Sequence, residues 1–206
     1  MKRNNIVGIY LAAGQSTRMG SDKLRLPLGP MNLGNYALAA ALSSELDFVA
    51  IVSNDATADW IDSTFYQEPI HRKWSVFHCS EAYLGQAYSI RYGVRAAQAM
   101  DAVAVMILLA DQPFITKVMI NELLFHYQAI TNIGFVASRY VGLARPPVIF
   151  AQRMFPDLLR LQNDQGARQL IRKETSGFYI DFTMPDLFMD VDTAEDYRGL
   201  LELWKS

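Results

Sequence analysis

The chain is expected to be an α/β protein, a single domain over residues 1–206 with a mostly parallel central sheet flanked by helices. Two patterns predict this fold. Apolar, β-branched runs alternate with stretches of helical periodicity, as right-handed βαβ units require. Two of those runs end in loops of small and charged residues, where open α/β sheets collect ligands. The length of 206 residues, with 51% hydrophobic and 19% charged residues, is enough for one substantial core.

Ile6, Val7, Ile9, Tyr10 and Leu11 form a β-branched and aromatic run that predicts a buried strand over Ile6 to Leu11. Helical periodicity follows over Leu33 to Leu42, then a strand over Phe48 to Val52 and a helix over Thr57 to Phe65. Trp74 to Phe77 predicts a strand, Gly85 to Met100 a helix, Ala102 to Leu109 a central strand and Lys117 to Ile130 a helix. Beyond Gly134 the pattern loosens. Short strands are expected over Phe135 to Ser138, Val148 to Phe150 and Tyr179 to Phe182, with helices over Arg153 to Leu161, Ala167 to Lys173 and Ala194 to Trp204. No repeat, low-complexity tract or long linker marks a second domain.

A formal charge of -2 argues against a nucleic-acid or membrane surface. Cys79 stands alone, so no intrachain disulfide is possible and a reducing compartment fits. Lys2 and Arg3 before the apolar stretch to Ala13 loosely imitate a signal peptide, but the stretch is short and no run is long enough to span a bilayer. A cytoplasmic protein is expected. His71, His78 and His126 are scattered without ligand spacing, and nothing resembles a zinc cluster or a Ser/His/Asp triad.

The most informative segment is Leu11-Ala12-Ala13-Gly14-Gln15-Ser16-Thr17-Arg18-Met19-Gly20-Ser21-Asp22-Lys23, directly after the first strand. Leu11, Ala12, Ala13 and Gly14 keep side-chain bulk low, so backbone N–H groups can reach phosphate oxygens or a base edge, and Gly14 and Gly20 permit positive φ. Arg18 offers a planar fork of donors and Lys23 a compact charge, which suits a polyanion. Neither a Walker ending nor G-x-G-x-x-G is present, so the two commonest phosphate loops are excluded.

Asp111 ends the apolar strand Val105-Met106-Ile107-Leu108-Leu109-Ala110 and precedes Gln112-Pro113. At that strand end a hard oxygen ligand would hold Mg²⁺ against triphosphate oxygens; the alternative is a cap on a helix beginning near Pro113. In Asp190-Val191-Asp192-Thr193-Ala194-Glu195-Asp196 either Asp190 or Asp192 could face the metal, and Asp192 or Thr193 followed by Glu195 or Asp196 also makes a good N-cap. Gly85, in Tyr83-Leu84-Gly85-Gln86-Ala87-Tyr88-Ser89, opens a helix whose free N–H groups could dock a base or phosphate; a glycine turn with a helix-surface serine is the plainer reading.

The loop resembles the L-A-A-G-x-S-x-R-M-G-x-x-K signature of nucleotidyltransferases with a glycosyltransferase-A-like, nucleotide-diphospho-sugar transferase (Rossmann-like) fold, and in particular the MobA-like molybdenum cofactor nucleotidyltransferase group. The resemblance covers nearly the whole chain. It implies Asp111 as a metal ligand, by the family's Ala-Asp-Gln-Pro, and Asp192 as the second, by its D-x-D-T-x-E-D tail. Gly85 and Ser89 match a G-M-x-x-S-L segment that encloses base and ribose, with Gln86 in place of methionine. Arg145-Pro146-Pro147-Val148-Ile149-Phe150 stands at the family's G-x-P-V-L-F, from which Arg145 and Pro146 depart. Asp164-Gln165-Gly166-Ala167-Arg168 matches D-x-G-A-R, so that Arg168 either binds the terminal phosphate of an acceptor through paired hydrogen bonds or is a solvated helix arginine.

The resemblance implies that an acceptor phosphate oxygen attacks the α-phosphorus of a nucleoside triphosphate and that pyrophosphate leaves. No protein nucleophile is required; positioning and charge neutralisation by Mg²⁺, Lys23, Arg18 and backbone N–H groups carry the step. Leu-Ala-Ala-Gly, rather than Leu-Ala-Gly-Gly, points to CTP as the nucleotide. Molybdopterin cofactor is the implied acceptor, as in the purine-catabolism branch associated with xanthine dehydrogenase maturation, and a molybdenum hydroxylase apo-enzyme the implied recipient. The alternatives are a guanylyltransferase of the same cofactor, a sugar- or alcohol-phosphate nucleotidyltransferase, and a non-catalytic cofactor-insertion partner.

Overall fold

Strand β1 (Ile6–Ala12) is buried along its whole length and runs through the middle of the sheet. The computed structural model describes residues 5–14, 19–20 and 22–205. After β1 come β2 (Pro27–Leu28), β3 (Met31–Asn32), α1 (Tyr36–Ser43), β4 (Phe48–Ser53), β5 (Trp74–His78), α2 (Gln86–Ala99), β6 (Ala104–Leu109) and α3 (Lys117–Ala129). The remaining elements are β7 (Phe135–Tyr140), β8 (Leu143–Ala151), α4 (Phe155–Leu159), α5 (Arg168–Ile171), β9 (Gly177–Asp181) and α6 (Ala194–Lys205).

The seven-stranded sheet has the order β5-β4-β1-β6-β8-β7-β9, and β2 pairs with β3 in a separate small hairpin. β5, β4, β1 and β6 are parallel, β8 is antiparallel to both β6 and β7, and β9 is parallel to β7. The sheet is therefore mostly parallel, as the alternation predicts.

Because successive side chains of a strand point to opposite faces, β1 feeds two cores. Ile6, Tyr10 and Ala12 join the cluster that contains Leu38 of α1, Leu123 of α3 and Leu200 of α6. Val7, Ile9 and Leu11 join the cluster that contains Ile90 and Val94 of α2, Phe155 of α4 and Ile171 of α5. Helix α2 crosses β1 so closely that a Cβ on Gly93 would stand 2.4 Å from Ile9 Cγ2, so only glycine lets this helix approach. No helix among the described residues is long and apolar enough to cross a membrane.

The largest departure from expectation lies at residues 57–65, where periodicity predicts a helix. Turns fill it instead, ending in the 3-10 turn Ser63–Tyr66, with a second 3-10 turn, Ile70–Lys73, beyond it. Asp55 and Asp62 each accept hydrogen bonds from the backbone and hydroxyl of the threonine two residues on, which spends the local donors on turns. Trp60, Ile61 and Phe65 still bury in the core, which is why the segment mimics an amphipathic helix. The helices predicted over Arg153 to Leu161 and Ala167 to Lys173 shrink to α4 and α5, and the strand predicted over Val148 to Phe150 lengthens to β8. The helix over Leu33 to Leu42 begins as a 3-10 turn at Leu33–Asn35.

Candidate active site

Three carboxylates and one lysine meet at the carboxyl edge of the sheet. Lys23 Nζ donates to Asp111 Oδ2 at 2.6 Å and to Asp192 Oδ1 at 2.8 Å. Val191 N–H donates to the Asp111 carbonyl at 3.2 Å, which holds the segment carrying Asp190 and Asp192 against the loop after β6. The Lys23 side chain keeps 10% of its exposure and the Asp111 side chain 19%.

Lys23 is held by its own turn. Asp22 accepts from Leu24 N–H at 3.0 Å and caps the 3-10 turn Lys23–Arg25. Arg25 then pairs with Asp22, Asp55 and Asp59, clasping that turn to the loop beyond β4.

Neither aspartate serves as a helix cap. The next helix after Asp111 is α3, and Thr116 caps it by accepting from Met119 N–H at 3.2 Å. At α6, Thr193 Oγ1 accepts from Asp196 N–H at 3.1 Å while Asp196 accepts from Thr193 N–H at 2.7 Å, a reciprocal cap that leaves the Asp192 carboxylate for Lys23.

The two charges of the buried pair respond unequally. Burial works against the Lys23 ammonium, but the Asp111 and Asp192 carboxylates outweigh it and raise its pKa. At Asp111 burial is the larger influence. It lifts the carboxyl above the usual aspartate range despite Lys23, with Asp190 and Asp192 pushing the same way.

A cavity of about 290 Å³ adjoins this cluster, lined by Leu11, Ala13, Gly14, Gly85, Ser89 and Asp111 among others. Six residues singled out from three separate segments thus share one wall. Ala12 does not; its side chain packs in the opposite core. Gly20 adopts φ +69°, whereas Gly14 needs no such conformation and contributes open space, with nothing within 4 Å of a Cβ built on it. Arg18, together with Gln15, Ser16, Thr17 and Ser21, lies outside the described residues.

Gly85 has a tighter constraint than a helix start requires. Its φ is +127°, and a Cβ there would lie 2.4 Å from the backbone of Asn163. The Asn163 carbonyl accepts from Ala87 N–H at 3.0 Å, so part of the α2 N-terminus is already satisfied by protein. This contact brings Asp164 to the cavity beside Gln86 and Tyr83, three lining residues to which sequence reasoning gave no role.

Arg168 stands apart from Lys23. It lines a second cavity of about 380 Å³ with Arg145 and Arg172, and Gln86, Leu109 and Asp164 line both cavities. Arg145 and Arg172 had no local signal of function beyond the departure of Arg145 from the family pattern.

The sheet order, the single reversed strand and the polar cluster at the carboxyl edge define an α/β protein of the nucleotide-handling class. The family model for the MobA-like NTP transferase domain matches residues 8–177, and the chain belongs to that family of nucleotidyltransferases. It is 36% identical over 201 residues to the purine catabolism protein PucB of Bacillus subtilis, covering 96% of each chain. It is 26% identical over 199 residues to a molybdenum cofactor guanylyltransferase of Rhodobacter capsulatus, covering 93% of this chain and 92% of the other. The crystal structure of Rv0371c from Mycobacterium tuberculosis H37Rv in complex with manganese shares the fold, with a TM-score of 0.71 at 23% identity over 96% of this chain and 98% of that one.

Proposed function

We propose that the protein, working as one domain in the cytoplasm, transfers CMP from CTP to molybdopterin cofactor with release of pyrophosphate. Its product would supply a molybdenum hydroxylase such as xanthine dehydrogenase. The observation that carries the reading is the convergence of Lys23, Asp111 and Asp192 beside a cavity walled by Leu11, Ala13 and Gly14. The second cavity, sharing three residues with the first, suits the acceptor.

In this reading Gly14 and its neighbours present backbone N–H groups and open space to the triphosphate, and Arg18 and Lys23 neutralise its charge. Gly85 and Ser89 bound the nucleoside end. Arg168 holds the acceptor phosphate, whose oxygen is already an anion at neutral pH and needs no protein base. That oxygen bonds to the α-phosphorus as the bond to the bridging oxygen breaks, and pyrophosphate carries the electron pair away.

Asp111 and Asp192 fit a hard divalent ion: both approach a single cationic atom within 2.8 Å, and Mg²⁺ commonly takes one or two carboxylates with phosphate oxygens completing its shell. When bound there, Mg²⁺ supplies positive charge against the triphosphate. The manganese in the Rv0371c structure supports a divalent ion of this size.

CTP is favoured by Leu11-Ala12-Ala13-Gly14. GTP is the second reading, because a relative over most of the chain is a molybdenum cofactor guanylyltransferase. The test is pyrophosphate release with Mg²⁺ and molybdopterin cofactor, comparing CTP, GTP, ATP and UTP. CTP-selective release is expected; selectivity for GTP reverses the base, and release with none of the four overturns the reading.

A further inference from the structure

The second cavity carries more positive charge than one arginine can account for. Arg145, Arg168 and Arg172 all line it, against a single carboxylate, Asp164. This occurs in a chain whose formal net charge is -2. Arg25, Arg72, Arg139, Arg153 and Arg160 each pair with an acid; Arg145, Arg168 and Arg172, like Arg91, Arg95 and Arg198, have no acidic partner among the described residues, and the first three share one cavity. The Arg145 Nε is in addition buried without a hydrogen-bond partner. A buried donor left unmade is costly, so such a group is expected to meet an acceptor that the protein does not supply.

The backbone explains how Arg145 reaches this place. β8 pairs with β6 only as far as Val148, opposite Ile107. Its register against β7 then jumps: Ala137 faces Val148, but the next residue, Ser138, faces Arg145. Pro146 and Pro147 fill the jump; neither has an N–H to donate, and Ser138 Oγ donates to the Pro147 carbonyl at 2.9 Å. The strand therefore swings away from β6 and opens a gap floored by Ile107, Leu109 and Val148. Arg145 comes from β8, while Arg168 opens α5 and Arg172 follows its end, four residues apart and so on neighbouring turns.

We propose that Arg145 and Arg172 join Arg168 in a three-arginine clamp for the phosphomonoester dianion of the acceptor. Three guanidinium groups against one carboxylate leave two positive charges, the charge that a phosphate monoester carries when fully ionised. Arginine is suited to the task because its planar fork meets phosphate oxygens in pairs. The apolar floor takes the rest of the acceptor. The clamp rests on the acceptor assignment made above, but its test does not need turnover.

Inorganic phosphate is the probe. Its affinity for the full chain is measured by calorimetry for the wild type, Arg145→Gln, Arg172→Gln, Arg168→Gln and Arg72→Gln, with circular dichroism confirming the fold of each. Each arginine variant is expected to bind phosphate about tenfold more weakly, the loss of one charge-assisted contact. Arg145→Lys should recover part of the loss, and Arg72→Gln, at an exposed arginine outside both cavities, should bind as the wild type does. Phosphate binding that is absent in the wild type, unchanged in Arg145→Gln and Arg172→Gln, or sensitive only to Arg168→Gln overturns the clamp. If phosphate binding follows expectation while no nucleoside triphosphate yields pyrophosphate, the clamp stands and the transferase substrate assignment fails.

Discussion

Lys23 Nζ lies 2.6 Å from Asp111 Oδ2, joining a 3-10 turn to a strand end 88 residues further along the chain. Lys23 also reaches Asp192 near the other end of the molecule, so one ammonium ties three distant segments together. If these groups handle the triphosphate, Lys23→Ala should slow pyrophosphate release by on the order of a hundredfold, about 3 kcal/mol in the barrier. Asp111→Asn should do the same. Steady-state rates on variants whose circular dichroism matches the wild type check both.

The ammonium of Lys23 occupies the space between the two carboxylates that a divalent ion would need. Neutralising it without shortening it, by Lys23→Met, should therefore strengthen binding of Mn²⁺ to nucleotide-free protein. Electron paramagnetic resonance titration reads this directly. Lys23→Met that binds Mn²⁺ no better than the wild type would show that the lysine does not compete for the site.

The raised pKa of Asp111 has a consequence for stability. A carboxyl whose folded pKa lies above its unfolded value binds its proton more tightly in the folded state. Its contribution to stability is fully present below the unfolded pKa and is lost as pH rises through the folded one. Wild type should thus lose stability relative to Asp111→Asn as pH rises from below the ordinary aspartate range towards neutrality. Urea unfolding at several pH values gives the sign.

Gly85 is needed for more than a helix start. Gly85→Ala places a Cβ at positive φ against the Asn163 backbone and should cost about 2 kcal/mol, measured by urea unfolding. Ala99→Gly at the other end of the same helix lacks that clash and serves as the comparison.

Val141 and Gly142 form the two-residue turn between β7 and β8, with φ of +47° and +73°. Both positive values match the hairpin turn that favours Asn-Gly. Val141 is 77% exposed, so no core contact compensates a β-branched residue in this conformation. Val141→Asn should raise stability by about 1 kcal/mol, read as a higher urea midpoint.

Much of this arrangement was legible in the sequence because its cues are local. The apolar runs of β1, β4 and β6 announce buried parallel strands, and Asp111 and the segment leading to Lys23 follow two of them at one edge of the sheet. Asp192 was separable from Asp190 only by the resemblance; the expected cap is present, but Thr193 and Asp196 form it, while Asp192 meets Lys23. The segment 57–65 misled because apolar residues spaced like one helix face were pinned into the core by turns. The arginine wall was invisible: Arg145 faces it only because β8 leaves β6 at two prolines, and no periodicity records that departure. The reason for Gly85 was hidden likewise, since its neighbour Asn163 is far along the chain.

If Lys23, Asp111 and Asp192 form a centre for nucleotidyl transfer, the fate of each phosphorus of the nucleotide reveals it. The most direct measurement follows CTP labelled separately at the α- and γ-phosphorus, incubated with the protein, Mg²⁺ and molybdopterin cofactor. The α-label should appear in the acceptor and the γ-label in pyrophosphate, both only when acceptor is present. An α-label that stays with the nucleotide, or pyrophosphate released equally without acceptor, would rule out nucleotidyl transfer to this acceptor.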